Sequence, residues 1–370
     1  MKSRRAEDTA GDGLFRAALD GMKEPAALLG EGGRALFANA ALLRAQGCGT
    51  CRSIGNAPCP ECLMACERED SPCIRFNGRA YERTISAFGA GGHKTCAVLW
   101  HDITAGAEAT AGLKRQYDKM RRDIFHARSI QLSLLPRELA KAEGYLFRSL
   151  YKPSEEMSGD IFDLIRIGRD NVAFYIADVA GHGVTAAMLT IFFSAAVRVE
   201  MRPTDMPGRV LSRVHNRFLE LQLEEQNYIT AFLGRLELST GRLYWSNAGH
   251  ICPAILMDAS GKAETLEMAG LPISRWFKDR EYATNSGQME PGGRIVIFSD
   301  GLEAQWHGSG VSGSLDDAVC RILRESAAED CLEEIWRTAG AGSGQGRHSD
   351  DTTMLLIGRL AGGGNEVQGC

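Results

Sequence analysis

The chain has 370 residues, 44% of them hydrophobic and 24% charged, with a net charge of −5. That length suits two or more domains, and the scattered Lys and Arg residues form no basic patch, so nucleic acid is not an expected partner. No apolar core follows the first charged residues, and the most apolar stretch, residues 172 to 197, is interrupted by Asp178 and His182; neither a secretory signal nor a membrane span is expected, and the expected location is cytoplasmic.

Residues 1–13 are charged and Gly-containing and read as a flexible tail. An amphipathic helix with Leu14, Phe15, Ala18, Leu19 and Met22 leads into an apolar run, Pro25 to Leu29. A turn at Gly30–Gly33, a second run at Ala35–Ala38 and a helix after Asn39 follow. Arg83–Phe88 and Thr95–Ile103 flank a Gly-rich turn and read as another hairpin. Residues 14–104 thus form a small α/β domain.

Six of the eleven cysteines lie from Cys48 to Cys73, spaced C-x2-C-x7-C-x2-C-x3-C-x6-C. Without a secretory signal, thiols or metal ligands are better readings than permanent disulfides. Cys48, Cys51, Cys59 and Cys62 are the simplest four-thiolate set, for a zinc ion or for an iron–sulfur cluster. Reversible disulfide formation and inert thiols are the alternatives.

Residues 105–136 read as one linker helix. Leu113, Tyr117, Met120, Ile124, Ala127, Gln131 and Leu134 follow alternating steps of four and three, a seam suited to a homodimeric coiled coil. Gln131 in that seam would fix its register. Packing of the helix on its own domain is the competing reading. Pro136 ends it.

Residues 137–360 carry strand-like runs from Leu146, Phe162, Val172, Tyr228, Arg242, Arg294 and Thr353. Helical runs lie at about 184–200, 205–225, 314–326 and 329–340. Hairpin-joined strands with grouped helices imply an α+β layered domain. Residues 361–370 are a tail. Asp160, Asp178, Asp300 and Asp350 each end an apolar run and open a turn. Carboxylates at the mouths of buried strands converge, repel one another and resist ionisation. Hard divalent cations such as Mg²⁺ or Mn²⁺ relieve that repulsion. Two such ions, ~4 Å apart in two-metal sites, bind a phosphoryl group and activate water. No Cys-x5-Arg loop supports a cysteine-based phosphatase.

Two families are similar. Gly33–Ala40 and His101-Asp102-Ile103-Thr104 resemble the second strand and the exit of a PAS sensor domain. Beyond residue 126 the chain resembles bacterial PPM-type serine/threonine phosphatases of the stress-response and sporulation branch. The motifs are Ala127–Gln131 with Leu134-Leu135-Pro136, Tyr151-Lys152-Pro153, and Ser158–Asp163. Ile176–Gly183 with Ala186-Ala187-Met188, Asn247–His250, Phe298–Ala304 and Asp350–Thr353 complete the set. The resemblance implies a PPM-type αββα sandwich holding two Mn²⁺ or Mg²⁺. Asp178 would bridge them beside the Val179 carbonyl; Asp160 would complete one, and Asp300 with Asp350 the other. Asp163 and Asp351 are adjacent acids of second rank. His182 and His250 read as framework, with His182 the alternative general acid. The implied substrate is a phosphoserine or phosphothreonine on a small regulatory protein of the anti-sigma-factor-antagonist type, under control of the sensor. The rival reading is a non-catalytic redox- or metal-sensing protein whose phosphatase-like domain only docks partners.

Overall fold

The computed structural model describes residues 16–30, 35–46, 73–76, 79–90, 93–136, 142, 144–181, 183–266, 269–278, 280–309, 312–340 and 350–361. The chain divides into two compact units, residues 1–120 and 121–370.

In the first unit a five-stranded antiparallel sheet runs in the order β2-β1-β5-β4-β3. Its strands are β1 (Ala26–Leu29), β2 (Ala35–Ala38), β3 (Cys73–Phe76), β4 (Arg79–Ala90) and β5 (His93–Asp102), and α1 (Ala40–Gln46) follows β2. Ala27, Ala38, Leu42, Tyr81, Val98 and Trp100 form one small core. Asn39 is fully buried and fully used: Oδ1 accepts from Ala26 N and Leu42 N, and Nδ2 donates to the Leu19 and Glu24 carbonyls. One side chain thereby closes the corner between β2 and α1. Cys48, Cys51, Cys59 and Cys62 lie outside the described residues.

Helix α2 (Thr104–Leu134) is continuous, and the division between the units falls inside it. Its start is fixed by Asp102, whose Oδ1 accepts from Thr104 N at 3.0 Å and Thr104 Oγ1 at 2.5 Å. The seven-residue seam does not act as one surface. Leu113, Tyr117 and Met120 are exposed, whereas Gln131 is 2% exposed. Gln131 is therefore no coiled-coil register residue; its amide is satisfied within the second unit. The spacing rule sees only which residues share a face, not what that face meets.

The second unit stacks helices, sheet, sheet and helices. One sheet has the order β14-β10-β9-β8-β7, with β13 added to β9. These strands are β7 (Asp160–Ile167), β8 (Asn171–Val179), β9 (Tyr228–Glu237), β10 (Arg242–Ala248), β13 (Ile273–Ser274) and β14 (Asn285–Gln288). The other has the order β12-β11-β15-β16-β6: β6 (Tyr145–Lys152), β11 (Ala254–Met257), β12 (Ala263–Leu266), β15 (Arg294–Phe298) and β16 (Thr352–Arg359). On the first sheet lie α3 (Gly183–Glu200) and α4 (Pro207–Glu220); on the second lie α5 (Asp300–Gly308), α6 (Leu315–Glu325) and α7 (Cys331–Ala339).

Strand alternation builds the layers. In β8, Ala173, Tyr175, Ala177 and Val179 pack on α3 and α4. Val172, Phe174 and Ile176 face the opposite sheet, where they meet Ile295, Ile297, Leu355 and Ile357. Val296, Phe298, Met354 and Leu356 turn outward to α5, α6 and α7. Helix α3 is apolar and long enough to cross a membrane by composition; here Ala186, Leu189, Phe193 and Val197 cover the sheet.

Two expectations change, and four short strands are added. The helix at 205–225 ends at Glu220, before Gln222 turns to φ 52°. The Asp300–Gly301 pair opens helix α5 rather than a turn, and Asp300 and Glu303 lie in its first turn, where negative charge is favoured. β11 to β14 are two to four residues long, too short for a periodic signal.

Candidate functional site

The β7–β8 register places Asp160 directly opposite Asp178. Both share parity with Phe162, Leu164, Phe174 and Ile176, so both cap the inter-sheet layer at one end. On the facing sheet, Ser299 continues the parity of Ile295 and Ile297, and Thr353 and Asp351 that of Leu355 and Ile357. The alternation of two strand pairs thus delivers carboxylates and hydroxyls to one spot.

Asp160 is 1% exposed. Its Oδ2 accepts from Ser299 Oγ at 2.6 Å and Thr353 Oγ1 at 2.7 Å, stitching the two sheets together. Its backbone N donates to Ser158 Oγ at 3.0 Å. Asp351, which the sequence leaves as an adjacent acid, fastens the loop before β7. Its Oδ1 accepts from Ser154 N at 2.6 Å and Ser154 Oγ at 2.9 Å, and its Oδ2 from Gly159 N at 2.7 Å. Asp350 Oδ1 accepts from Asp351 N at 2.8 Å. Gly301 has no room for a side chain, since a Cβ there would lie 2.0 Å from the Asp351 carbonyl oxygen.

The electrostatics show that the acids converge. Burial, then the Asp300, Asp350 and Asp351 carboxylates, push Asp178 up to about 7. Burial and then Asp178 hold Asp160 well above the usual carboxylate range. Asp300 is raised by burial, then by Asp350 and Glu303. Among the described residues none of these acids has a Lys or Arg partner. Nor, among the described residues, do three His, Cys, Asp or Glu side chains close tightly enough to share one metal ion.

The donor set nevertheless fits hard divalent cations. It is all oxygen, mutually repelling and unneutralised. The missing side chain of Gly159 leaves a cradle: a Cβ there would lie 3.1 Å from the Val179 carbonyl oxygen, 3.3 Å from that of Gly181 and 3.6 Å from Asp178 Oδ1. Three oxygens therefore border one open position.

Asp163 stands apart. It faces the helices and pairs with Arg198 of α3 at 2.7 Å, so it is structural. His250 is framework as well. Its Nε2 meets the Phe298 carbonyl at 3.0 Å while the Asn247 side chain brackets its backbone, and burial lowers it to about 4. His182 lies outside the described residues, as do residues 341–349 before Asp350.

Sequence reasoning missed four supports: Ser299, Thr353, Ser154 and Gln131. Gln131 Nε2 donates to the Ser158 carbonyl at 2.6 Å and to Thr190 Oγ1 at 2.9 Å, and its Oε1 accepts from Ser158 N at 3.2 Å. It ties α2 to both the Ser158–Asp160 segment and α3. The parity of β15 and β16 was the available signal for Ser299 and Thr353. For Gln131 the signal was its place in the Ala127–Gln131 motif, which fits the reading of the helix packed on its own domain. In the first unit, a polar cavity of about 440 Å³ is lined by Lys23, Glu24, Arg44, Arg79, Tyr81 and Asp102, among others.

Known proteins match this second unit. The family described as Stage II sporulation protein E (SpoIIE) matches residues 168–360. Phosphoserine phosphatase RsbP of Bacillus subtilis is 27% identical over 186 residues, 49% of this chain and 45% of RsbP. Phosphoserine phosphatase RsbU of the same organism is 25% identical over 184 residues, 50% of this chain and 54% of RsbU. The chain spans about half the length of these relatives. Among solved structures, the SiaA-PP2C domain of Pseudomonas aeruginosa superposes with a TM-score of 0.54 at 22% identity, covering 66% of this chain and 98% of that one. The RsbU and RsbW domains of a Mycobacterium tuberculosis protein give 0.51 at 23%, covering 61% and 63%. These superpositions establish a PP2C-like fold.

Proposed function

We propose that this chain, which belongs to the Stage II sporulation protein E (SpoIIE) family, is a divalent-metal-dependent serine/threonine protein phosphatase under the control of its N-terminal unit. The observation that carries the reading is the Asp160–Asp178 pair, set face to face beside Asp300 and Asp350 with no basic partner among the described residues. Asp178, Asp160 and the Val179 carbonyl would hold one Mn²⁺ or Mg²⁺; Asp178, Asp300 and Asp350 would hold the other, drawing closer around it than they stand in this structure. Bound there, the ions supply an activated water and neutralise phosphoryl charge.

The chain's own residues prepare that centre. Ser299 and Thr353 hold one oxygen of Asp160, which leaves the other for a cation. Asp351 pins Gly159, keeping the Val179 carbonyl uncovered. The relatives named phosphoserine phosphatases support a phosphoserine or phosphothreonine substrate on a small regulatory protein of the anti-sigma-antagonist type. The five-stranded sheet of the first unit supports a PAS-type sensor. The exposed Leu113, Tyr117 and Met120 support a homodimer through α2. A signal arriving along α2 would act on the site through Gln131, which bonds Ser158.

The test is hydrolysis of p-nitrophenyl phosphate and of a phosphoserine peptide by the full chain with Mn²⁺. Turnover that EDTA abolishes and Mn²⁺ restores supports the reading. Turnover indifferent to EDTA, or none on either substrate, refutes it.

A further inference from the structure

β13 joins the start of β9, pairing Ile273 with Ile229 and Ser274 with Tyr228. In the neighbouring ladder Thr230 stands opposite Asp178, and Thr230 Oγ1 donates to the Asp178 carbonyl at 3.3 Å. Tyr228 lies two residues before Thr230, on the same face and about 7 Å along the strand. The indole of Trp276 lies against the Tyr228 ring, with centroids 5.7 Å apart, yet remains 53% exposed. An aromatic platform therefore borders the acidic mouth.

The segment presenting Trp276 is braced. His215, fully buried on α4, meets the Ser274 carbonyl through Nε2 at 2.9 Å and the Tyr282 hydroxyl through Nδ1 at 3.0 Å. Tyr282 N donates to Ser212 Oγ at 3.0 Å, and Gly208 N donates to Thr284 Oγ1 at 2.9 Å. Gly208 lets the segment approach, since a Cβ there would lie 2.1 Å from the Tyr282 carbonyl oxygen. Leaving a large ring in water forgoes hydrophobic stabilisation that burial would supply. Exposed tryptophans on rigid supports are the typical anchors of protein contacts.

We infer that the Trp276–Tyr228 platform docks an apolar side chain two or three residues from the phosphoserine of a polypeptide substrate. The inference rests on the phosphatase reading above and adds what would distinguish a protein substrate from a small phosphate ester. An extended peptide advances about 3.3 Å per residue, so two or three residues cover the span from Asp178 to the platform. The occupant is apolar because the platform offers ring faces, those of Trp276 and Tyr228, rather than a charged group.

The experiment compares two phosphoserine peptides of equal length with the full chain and Mn²⁺. One carries Leu two and three residues to either side of the phosphoserine; the other carries Gly there. The Leu peptide is expected to have a kcat/KM about tenfold higher. Trp276→Ala brings it near the Gly value through KM, and Trp276→Phe restores most of the preference. Equal wild-type values, or an equal loss on both peptides in Trp276→Ala, overturn the inference. Turnover of p-nitrophenyl phosphate with neither peptide hydrolysed also overturns it while the phosphatase reading stands. No turnover of any substrate overturns both.

Discussion

Asp160 and Asp178 face each other across the β7–β8 ladder, two carboxylates paired at the end of a dry inter-sheet core. Like charges directly opposite in a sheet destabilise it. The fold keeps them there and surrounds Asp160 with two hydroxyl donors instead of a cation.

Asp178 held up to about 7 fixes a pH signature. A carboxyl raised in the folded state contributes stability below its unfolded value near 4, and that contribution is lost as pH rises through about 7. Metal-free protein is expected to soften from pH 6 to pH 8. A divalent cation must displace the retained proton, so Mn²⁺ should raise Tm more at pH 8 than at pH 6. Equal shifts at both values in thermal denaturation would contradict this.

His250 works at the other end of the scale. Burial lowers it to about 4, so the unfolded chain gains a proton first as pH falls below about 6.5. His250 alone should withdraw roughly 3 kcal/mol between those values, against the opposite contribution of Asp178. His250→Gln, followed by urea unfolding across that range, is expected to flatten this acid limb.

Ser299→Ala removes a donor from a buried carboxylate and should cost about 1–3 kcal/mol. Ser299→Thr keeps the hydroxyl and should stay near wild type. Denaturant midpoints for the two variants check the claim; indistinguishable midpoints would mean the hydroxyl does not matter.

The α2 helix makes two separable predictions. Gln131→Ala leaves the Ser158 carbonyl and amide without their partner, so it should weaken Mn²⁺ half-activation and lower stability by about 1–3 kcal/mol. Tyr117→Glu with Met120→Glu should instead turn a dimer into a monomer in sedimentation, since both side chains are exposed. A wild-type monomer in the same run would remove the dimer proposal.

Much of this site is legible in the chain. The apolar run Asn171–Ala177 announces a strand buried on both faces, and the acid after it therefore sits at a mouth. Ser299 and Thr353 stand inside motifs read for their aspartates, and only the strand parity of the facing sheet gives them a task. Gln131 shows the limit of periodicity. Its spacing fits a seam, but its partners Ser158 and Thr190 lie 27 and 59 residues away, and pairing over that distance follows from packing alone. Helix α5 was hidden for a related reason: Asp-Gly reads as a turn until the helix start behind it is seen.

The most direct test of the central claim replaces one atom of the crowded pair. Asp178→Asn keeps the shape and removes the charge that two cations would share. Initial rates on a phosphoserine peptide at saturating Mn²⁺ should fall at least about a thousandfold, while the metal-free protein unfolds at a Tm no lower than wild type. A variant that retains wild-type turnover would contradict the two-cation centre.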